Sequence, residues 1–227
     1  MLAKTARSRG IFARRGLATK APIDRTTHAM LLRQLYLAFF ETRRFREAYD
    51  IMLQALELDV LPDVLAQDAA RAAIAFGEIE AGLTHLRAAT RRAPASRRPF
   101  HLWTLGSYLF LAGRHEEAAA VLSRAARWGT RDKPLYRGHL ALARLAVGEE
   151  VADLREIIDA LAEAPCGQGY GRFVLGHLAH ATNRWDDARR YLVAFVKRTE
   201  QARTAMNIAL EGELRMAKAT LAKMAAN

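Results

Sequence analysis

Residues 105–125 read LGSYLFLAGRHEEAAAVLSRA, and residues 175–195 read LGHLAHATNRWDDARRYLVAF. The two stretches align without a gap. Leu105-Gly106 falls on Leu175-Gly176, Gly113 on Asn183, Glu117-Ala118 on Asp187-Ala188, Leu122 on Leu192 and Ala125 on Phe195. Within each stretch apolar residues recur three and four apart, a polar cluster interrupts, and the same period resumes. That pattern reads as helix, turn, helix. Alternating β-branched runs are missing from the chain, so strands are not expected.

Working outward, the same pattern recurs. Thirty-six residues before the first stretch stand Ala69-Ala70, Gly77, Gly82, Leu86 and Ala89, with Pro94 closing the unit. Another 34 back stand Leu35-Tyr36, Phe45, Glu47-Ala48, Met52 and Ala55-Leu56. Between the two quoted stretches lies a weaker copy: Leu140-Ala141, Gly148, Ile157, Ala160-Leu161 and Pro165. Successive steps are 34, 36, 35 and 35 residues. The small residues have a physical reason. Where two helices of one hairpin cross, their backbones approach closely and only Gly or Ala fits. Gly106, Ala70, Ala141 and Gly176 fill that place on the first helix, and Ala48, Gly82, Ala118 and Ala188 on the second. Gly77, Gly113 and Gly148 fall in the turn, where left-handed backbone favours glycine.

This repeat resembles the tetratricopeptide repeat family, whose unit is a 34-residue helical hairpin. The resemblance covers about residues 29–200, in units of about 29–61, 63–96, 99–132, 134–167 and 169–200. It implies an all-α fold, a right-handed α-solenoid of about five TPR-like helix–turn–helix units. Tyr36 and Asp153 depart from the pattern, since each occupies a small-residue site. Residues 201–227 follow the last unit, and Ala202–Ala225 read as one amphipathic capping helix over the final apolar face.

In the resembled family the first helix of each unit lines a concave groove. Carried onto this sequence, that implies a partner-binding set of Arg33, Phe40, Arg71, Phe100, Trp103, Phe110, Tyr170, Phe173, His177 and His180. The set is unusually aromatic, as a face that receives an apolar helix or extended segment would be. Members that grip a C-terminal carboxylate use Lys, Asn and Arg here; Asn is absent from these positions. An aromatic stripe at helical spacing also suits packing between helices. The N-terminal arm, with Leu2, Ile11, Phe12 and Leu17, could instead fold back into the groove.

The chain has 227 residues, 51% apolar and 26% charged, with net charge +11. That composition supports a packed core and excludes a wholly disordered chain. No stretch approaches the roughly 20 apolar residues of a membrane-spanning helix. Residues 1–22 hold Lys4, Arg7, Arg9, Arg14, Arg15 and Lys20 with no acid, so over half the net charge sits there. Such a block is expected to be a flexible basic arm. It also looks like an organelle transit peptide, Arg-rich and acid-free. No apolar segment follows it as in a secretory signal. Arg outnumbers Lys 29 to 6, and Ala is abundant. That bias favours a bacterial, cytoplasmic protein, with the mitochondrial matrix as the alternative if the arm is cleaved.

A second basic surface is expected where Arg87, Arg91, Arg92, Arg97 and Arg98 fall within twelve residues, and where Arg124, Arg127, Arg131 and Lys133 fall one unit on. It could meet phosphates or an acidic protein, or simply be solvated. Chemistry is not expected. Cys166 is the only cysteine, which excludes an internal disulfide and a Cys-based zinc cluster. Residues 166–171, CGQGYG, lack a phosphate-loop Lys and read as a flexible joint. His177 and His180 share a helix face without the further ligands zinc needs. No catalytic set, cofactor or small-molecule substrate is therefore expected. The expected function is a non-enzymatic protein-binding module: adaptor, assembly factor or chaperone. Its partner would be one or more proteins, with a second copy of the chain as a further candidate. The alternative is a binder of nucleic acid or anionic membrane through the arm and the Arg-rich surface.

Overall fold

The computed structural model describes residues 5–226. Among them the fold is all-α: α1 (Ala6–Leu17), α2 (Arg25–Glu41), α3 (Phe45–Glu57), α4 (Pro62–Phe76), α5 (Ile79–Arg92), α6 (Arg98–Leu111), α7 (His115–Trp128), α8 (Lys133–Ala146), α9 (Leu154–Glu163), α10 (Gly171–Ala181), α11 (Trp185–Glu200), α12 (Thr204–Ala209) and α13 (Glu211–Ala226). A 3-10 turn, Pro165–Gln168, separates α9 from α10. No described helix is long and apolar enough to cross a membrane. The chain divides into two compact units, one ending at Ser96 and the other beginning at Arg97.

The hairpin turns share one geometry. Arg43, Gly77, Gly113, Gly148 and Asn183 have positive φ, at 58°, 102°, 76°, 80° and 59°. At each, two backbone bonds close the end of the first helix. Gly113 N–H donates to the Phe110 carbonyl and Arg114 N–H to the Leu109 carbonyl, at 3.0 and 2.9 Å. Asn183 and Arg184 repeat this with His180 and Ala179. The left-handed residue thus satisfies carbonyls that the helix leaves open. Three turns then start the second helix alike. Arg44, Arg114 and Arg184 each hold the acid three residues on, Glu47, Glu117 and Asp187, with Nε–O distances of 2.8, 2.6 and 3.0 Å.

The close crossings fall where the small residues are. A Cβ on Gly106 would lie 2.5 Å from Leu122 Cγ, and one on Gly176 2.6 Å from Leu192 Cγ. Ala48, Ala118 and Ala188 are fully buried. Proline opens α4, α6 and α8 within the first turn, where its missing N–H costs nothing.

Unit 1 runs from α1 to α5. Here the expectation of a flexible arm is corrected, because α1 is an ordered helix packed antiparallel on α2. Thr5 caps it, accepting from Ser8 N–H at 3.1 Å, while Ser8 Oγ accepts from Thr5 N–H. A Cβ on Gly10 would stand 3.2 Å from Ala38 Cβ, and one on Gly16 2.9 Å from Leu31. Arg9 bonds Glu41 at 2.7 Å, and the Arg14 guanidinium lies 5.5 Å from the Phe39 ring centre. Glycine and alanine make the close backbone approach, while Arg7, Arg14 and Arg15 stay exposed. Ile11 and Phe12 are exposed on its outer face rather than folded inward. Lys4 and Leu2 lie outside the described residues. In α2, Tyr36 is buried against Phe40, with ring centres 5.5 Å apart, so the large residue at a small site is accommodated in the core.

Unit 2 runs from α6 to α13. Its second hairpin is irregular. Helix α9 has only ten residues and begins six after Gly148. Asp153 therefore stands just before α9 rather than at a helix crossing, and pairs with Arg137 at 2.5 Å. With the second helix short, α8 packs directly on α10. The glycine-rich 166–171 segment is not a flexible joint either. A Cβ on Gly167 would fall 1.9 Å from the Leu161 carbonyl oxygen, so the turn is closed tightly onto α9. The expected single helix after Ala202 is broken at Leu210, where ψ is 18°, into α12 and α13. Helix α13 packs mainly on α11 and touches α10.

Candidate functional site

In unit 2, α6, α8 and α10 bring a chain of rings together. Phe100 and Trp103 lie 5.9 Å apart by ring centre, Trp103 and Tyr170 4.8 Å, Tyr170 and His139 6.0 Å, and His139 and Phe110 5.4 Å. Tyr170 continues to Phe173 at 5.5 Å, and Phe173 to His177 at 4.6 Å. The local cause is helical spacing. Phe100 and Trp103 are one turn apart on α6, while Tyr170, Phe173 and His177 follow one stripe along the start of α10.

Burial divides this set. Phe100 is 41% exposed, and Trp103 and Tyr170 are half-buried. Phe110 at 3%, Phe173 at 0% and His177 at 5% are core. In unit 1, Phe40 is likewise buried, at 2%. These four expected partner-binding residues are corrected accordingly: each fills a space between helices and offers no surface. His180 stays half-buried, its ring 5.3 Å from the exposed Trp185.

The cluster is polar inside. Ser107 Oγ donates to the Trp103 carbonyl at 3.0 Å and lies 3.3 Å from His139 Nδ1. His139 Nε2, His177 Nε2 and the Trp103 indole N–H are buried without a hydrogen-bond partner. Burial, and then His177 nearby, push His139 down to about 3. Burial, and then His180, push His177 down to about 4. Both are therefore neutral at pH 7. The Tyr170 hydroxyl donates to Glu213 Oε1 of α13 at 3.1 Å. Burial and the Glu213 charge hold that phenol well above its usual range. Glu213 is 4% exposed, a carboxylate taken out of water.

Unit 1 holds a different constellation. Arg33 and Arg71 flank Asp68, which is 2% exposed. Arg33 Nε donates to Oδ2 at 2.6 Å and Arg71 Nη1 to Oδ1 at 3.2 Å. One carboxylate thus orients two guanidiniums across α2 and α4, with the arginine side chains each 31% exposed.

The arginines expected to form a basic surface are placed unit by unit. In unit 1, Arg91 and Arg92 are exposed and Arg87 half-buried; Arg92 pairs with Asp59. In unit 2, Arg97, Arg124, Arg127 and Arg131 are exposed and Arg98 half-buried, with Arg124 stacked 5.0 Å over Trp128. Helix α1 adds Arg7, Arg14 and Arg15 around the exposed Ile11 and Phe12.

Sequence reasoning missed Asp68, His139 and Glu213. Asp68 had a signal, since it lies one turn from Arg71 and one repeat step from Arg33. His139 had none, since no spacing pattern set it apart from the other histidines. Glu213 had none, because its role depends on the break at Leu210. Among the described residues no three His, Cys, Asp or Glu side chains could hold a metal ion together.

No family model matches the chain, and no curated protein matches it. Among solved structures, it is similar to the crystal structure of nearly identical TPR-like repeats from Podosopora anserina, assigned there to a kinesin light chain. Identity is 14%, the TM-score is 0.50, and the match covers 93% of this chain and 98% of that one. At that identity the likeness speaks for the fold, and the fold of this chain is an all-α, TPR-like helical-hairpin repeat.

Proposed function

We propose that the chain is a non-enzymatic protein-interaction module whose α6–α8–α10 face receives an apolar helical or extended segment of a partner. The observation that carries this reading is the aromatic run from exposed Phe100 to half-buried Trp103 and Tyr170. Large apolar side chains left together at a surface mark binding sites. TPR-like stacks present surface rather than reacting groups. We place the protein in the bacterial cytoplasm on composition. The test is affinity capture from native lysate at low and high salt, with wild type and Phe100→Ser. A discrete protein retained at high salt by wild type and lost with Phe100→Ser is expected. Equal retention by both chains overturns the reading.

A second reading is favoured by α1. Its outer face sets Arg7, Arg14 and Arg15 around Ile11 and Phe12, a composition suited to an anionic surface. Counterion release would make such binding fall steeply with salt. Elution from heparin that does not shift between wild type and an Arg7→Ala, Arg14→Ala, Arg15→Ala triple variant removes it.

A further inference from the structure

The C-terminal segment does more than cover the end of a stack. A plain cap would run as one helix along α11 with its apolar stripe inward. Instead the chain turns at Leu210, and the first turn of α13 reaches back to α6. A Cβ on Gly212 would lie 3.2 Å from Leu111 Cδ1. The next residue, Glu213, is buried and takes the Tyr170 hydroxyl at 3.1 Å. Leu214 and Ala217 follow on the same side, at 7% and 0% exposure. Tyr170 belongs to the partner-binding set that the family resemblance implies, and Leu111 follows Phe110 of that set at the end of α6.

A buried carboxylate is a costly way to close a stack, since desolvation opposes it. A neutral side chain at this position would close it at lower cost. From this face the Tyr170 hydroxyl donates to the carboxylate. The Trp103 indole N–H is also buried there, without a hydrogen-bond partner, on a ring 4.8 Å from that of Tyr170. The tether is light, because α12 has six residues with only Ile208 buried, and Met206 is 58% exposed.

We infer that the first turn of α13 is a built-in occupant of this face, with Glu213 as a stand-in for a partner's carboxylate. The partner it fits is an amphipathic helix carrying an acidic residue directly followed by a leucine-sized one, and it binds by displacing α13. This inference rests on the interaction-module reading above.

The probe is a fluorescein-labelled peptide of residues 204–226, added to the full-length chain and read by polarisation. Hydrogen exchange of residues 211–217 is followed in parallel. In wild type the internal copy competes. Glu213→Gln and, independently, Gly212→Leu weaken that copy, the second by pushing it off Leu111. Each is expected to bind the wild-type peptide about tenfold more tightly than the wild-type chain does, because the open face is more populated. A peptide carrying the Glu213→Gln change is expected to lose at least about tenfold on every chain. Saturating peptide is expected to speed exchange at 211–217. Thermal melts confirm that the variants fold. Equal affinity of all chains, no binding to any, or binding without faster exchange at 211–217 overturns the inference. If that happens while partner capture stays sensitive to Phe100→Ser, only this inference falls. Loss of that sensitivity overturns the broader reading.

Discussion

Two glycines of unit 2 show how one residue type carries two different constraints. Gly113 stands at φ 76° with nothing within 4 Å of a would-be Cβ. Its constraint is purely conformational. Gly113→Ala is expected to destabilise by about 1 kcal/mol, the cost of left-handed backbone for a side-chain-bearing residue. Gly176 is helical, and its Cβ would meet Leu192 at 2.6 Å, with the Leu192 backbone nitrogen at 3.2 Å. Gly176→Ala is expected to cost about 2 kcal/mol by overpacking. Urea denaturation followed by tryptophan fluorescence measures both. A Gly176→Ala loss no larger than that of Gly113→Ala would mean the crossing relaxes freely. Both glycines were legible in the sequence, because the repeat put each beside its equivalents. Arg43 was not legible as a left-handed turn residue, since nothing in its type announces positive φ. Only the shared turn, with Asn183 and the three glycines, explains it.

At the scale of the element, the long periodic helices were readable and the ends of the chain were not. Helix α1 was hidden by its charge. Four arginines in twelve residues read as solvated, while the docking surface is made by Gly10, Ala13 and Gly16, which carry little hydropathic signal. The consequence is testable. Gly10→Leu should wedge α1 away from Ala38 and Leu35. Amide exchange across residues 6–17 is expected to accelerate at least about tenfold, while α6–α11 keep their protection, as expected when a local element opens on its own. Unchanged exchange in α1 would mean the contact at Gly10 is not what holds it. Helix α9 failed for the opposite reason. The 35-residue step was true on average, but a delayed start after Gly148 moved Asp153 off the helix. The C-terminal break escaped because the period continues through Leu210, and only the tertiary position of Glu213 gives the break its meaning.

Across the whole molecule, buried titratable groups are unevenly shared between the two units. Unit 2 holds His139 and His177, pushed down by burial to about 3 and about 4. Unit 1 has His85, lowered by partial burial and 3.0 Å from the Tyr49 hydroxyl. A histidine whose folded value is depressed binds its proton more readily when unfolded, so acid favours unfolding. The stability it contributes is complete above the unfolded value near 6.5 and is lost as pH falls from there toward the folded value. His139 and His177 should therefore each cost unit 2 about 1 kcal/mol per pH unit across the window from about 6.5 down to about 4. Trp103, Trp128 and Trp185, the three tryptophans of the chain, all lie in unit 2. Tryptophan fluorescence thus reports that unit alone, whereas far-UV circular dichroism reports all the helices. Melts at pH 7.5 and pH 5 are expected to show the fluorescence midpoint falling further than the dichroism midpoint. A His139→Phe variant, neutral at every pH and close in size, should shrink that gap. Midpoints that fall together, or a gap that His139→Phe leaves intact, would show that these imidazoles are not what acid attacks.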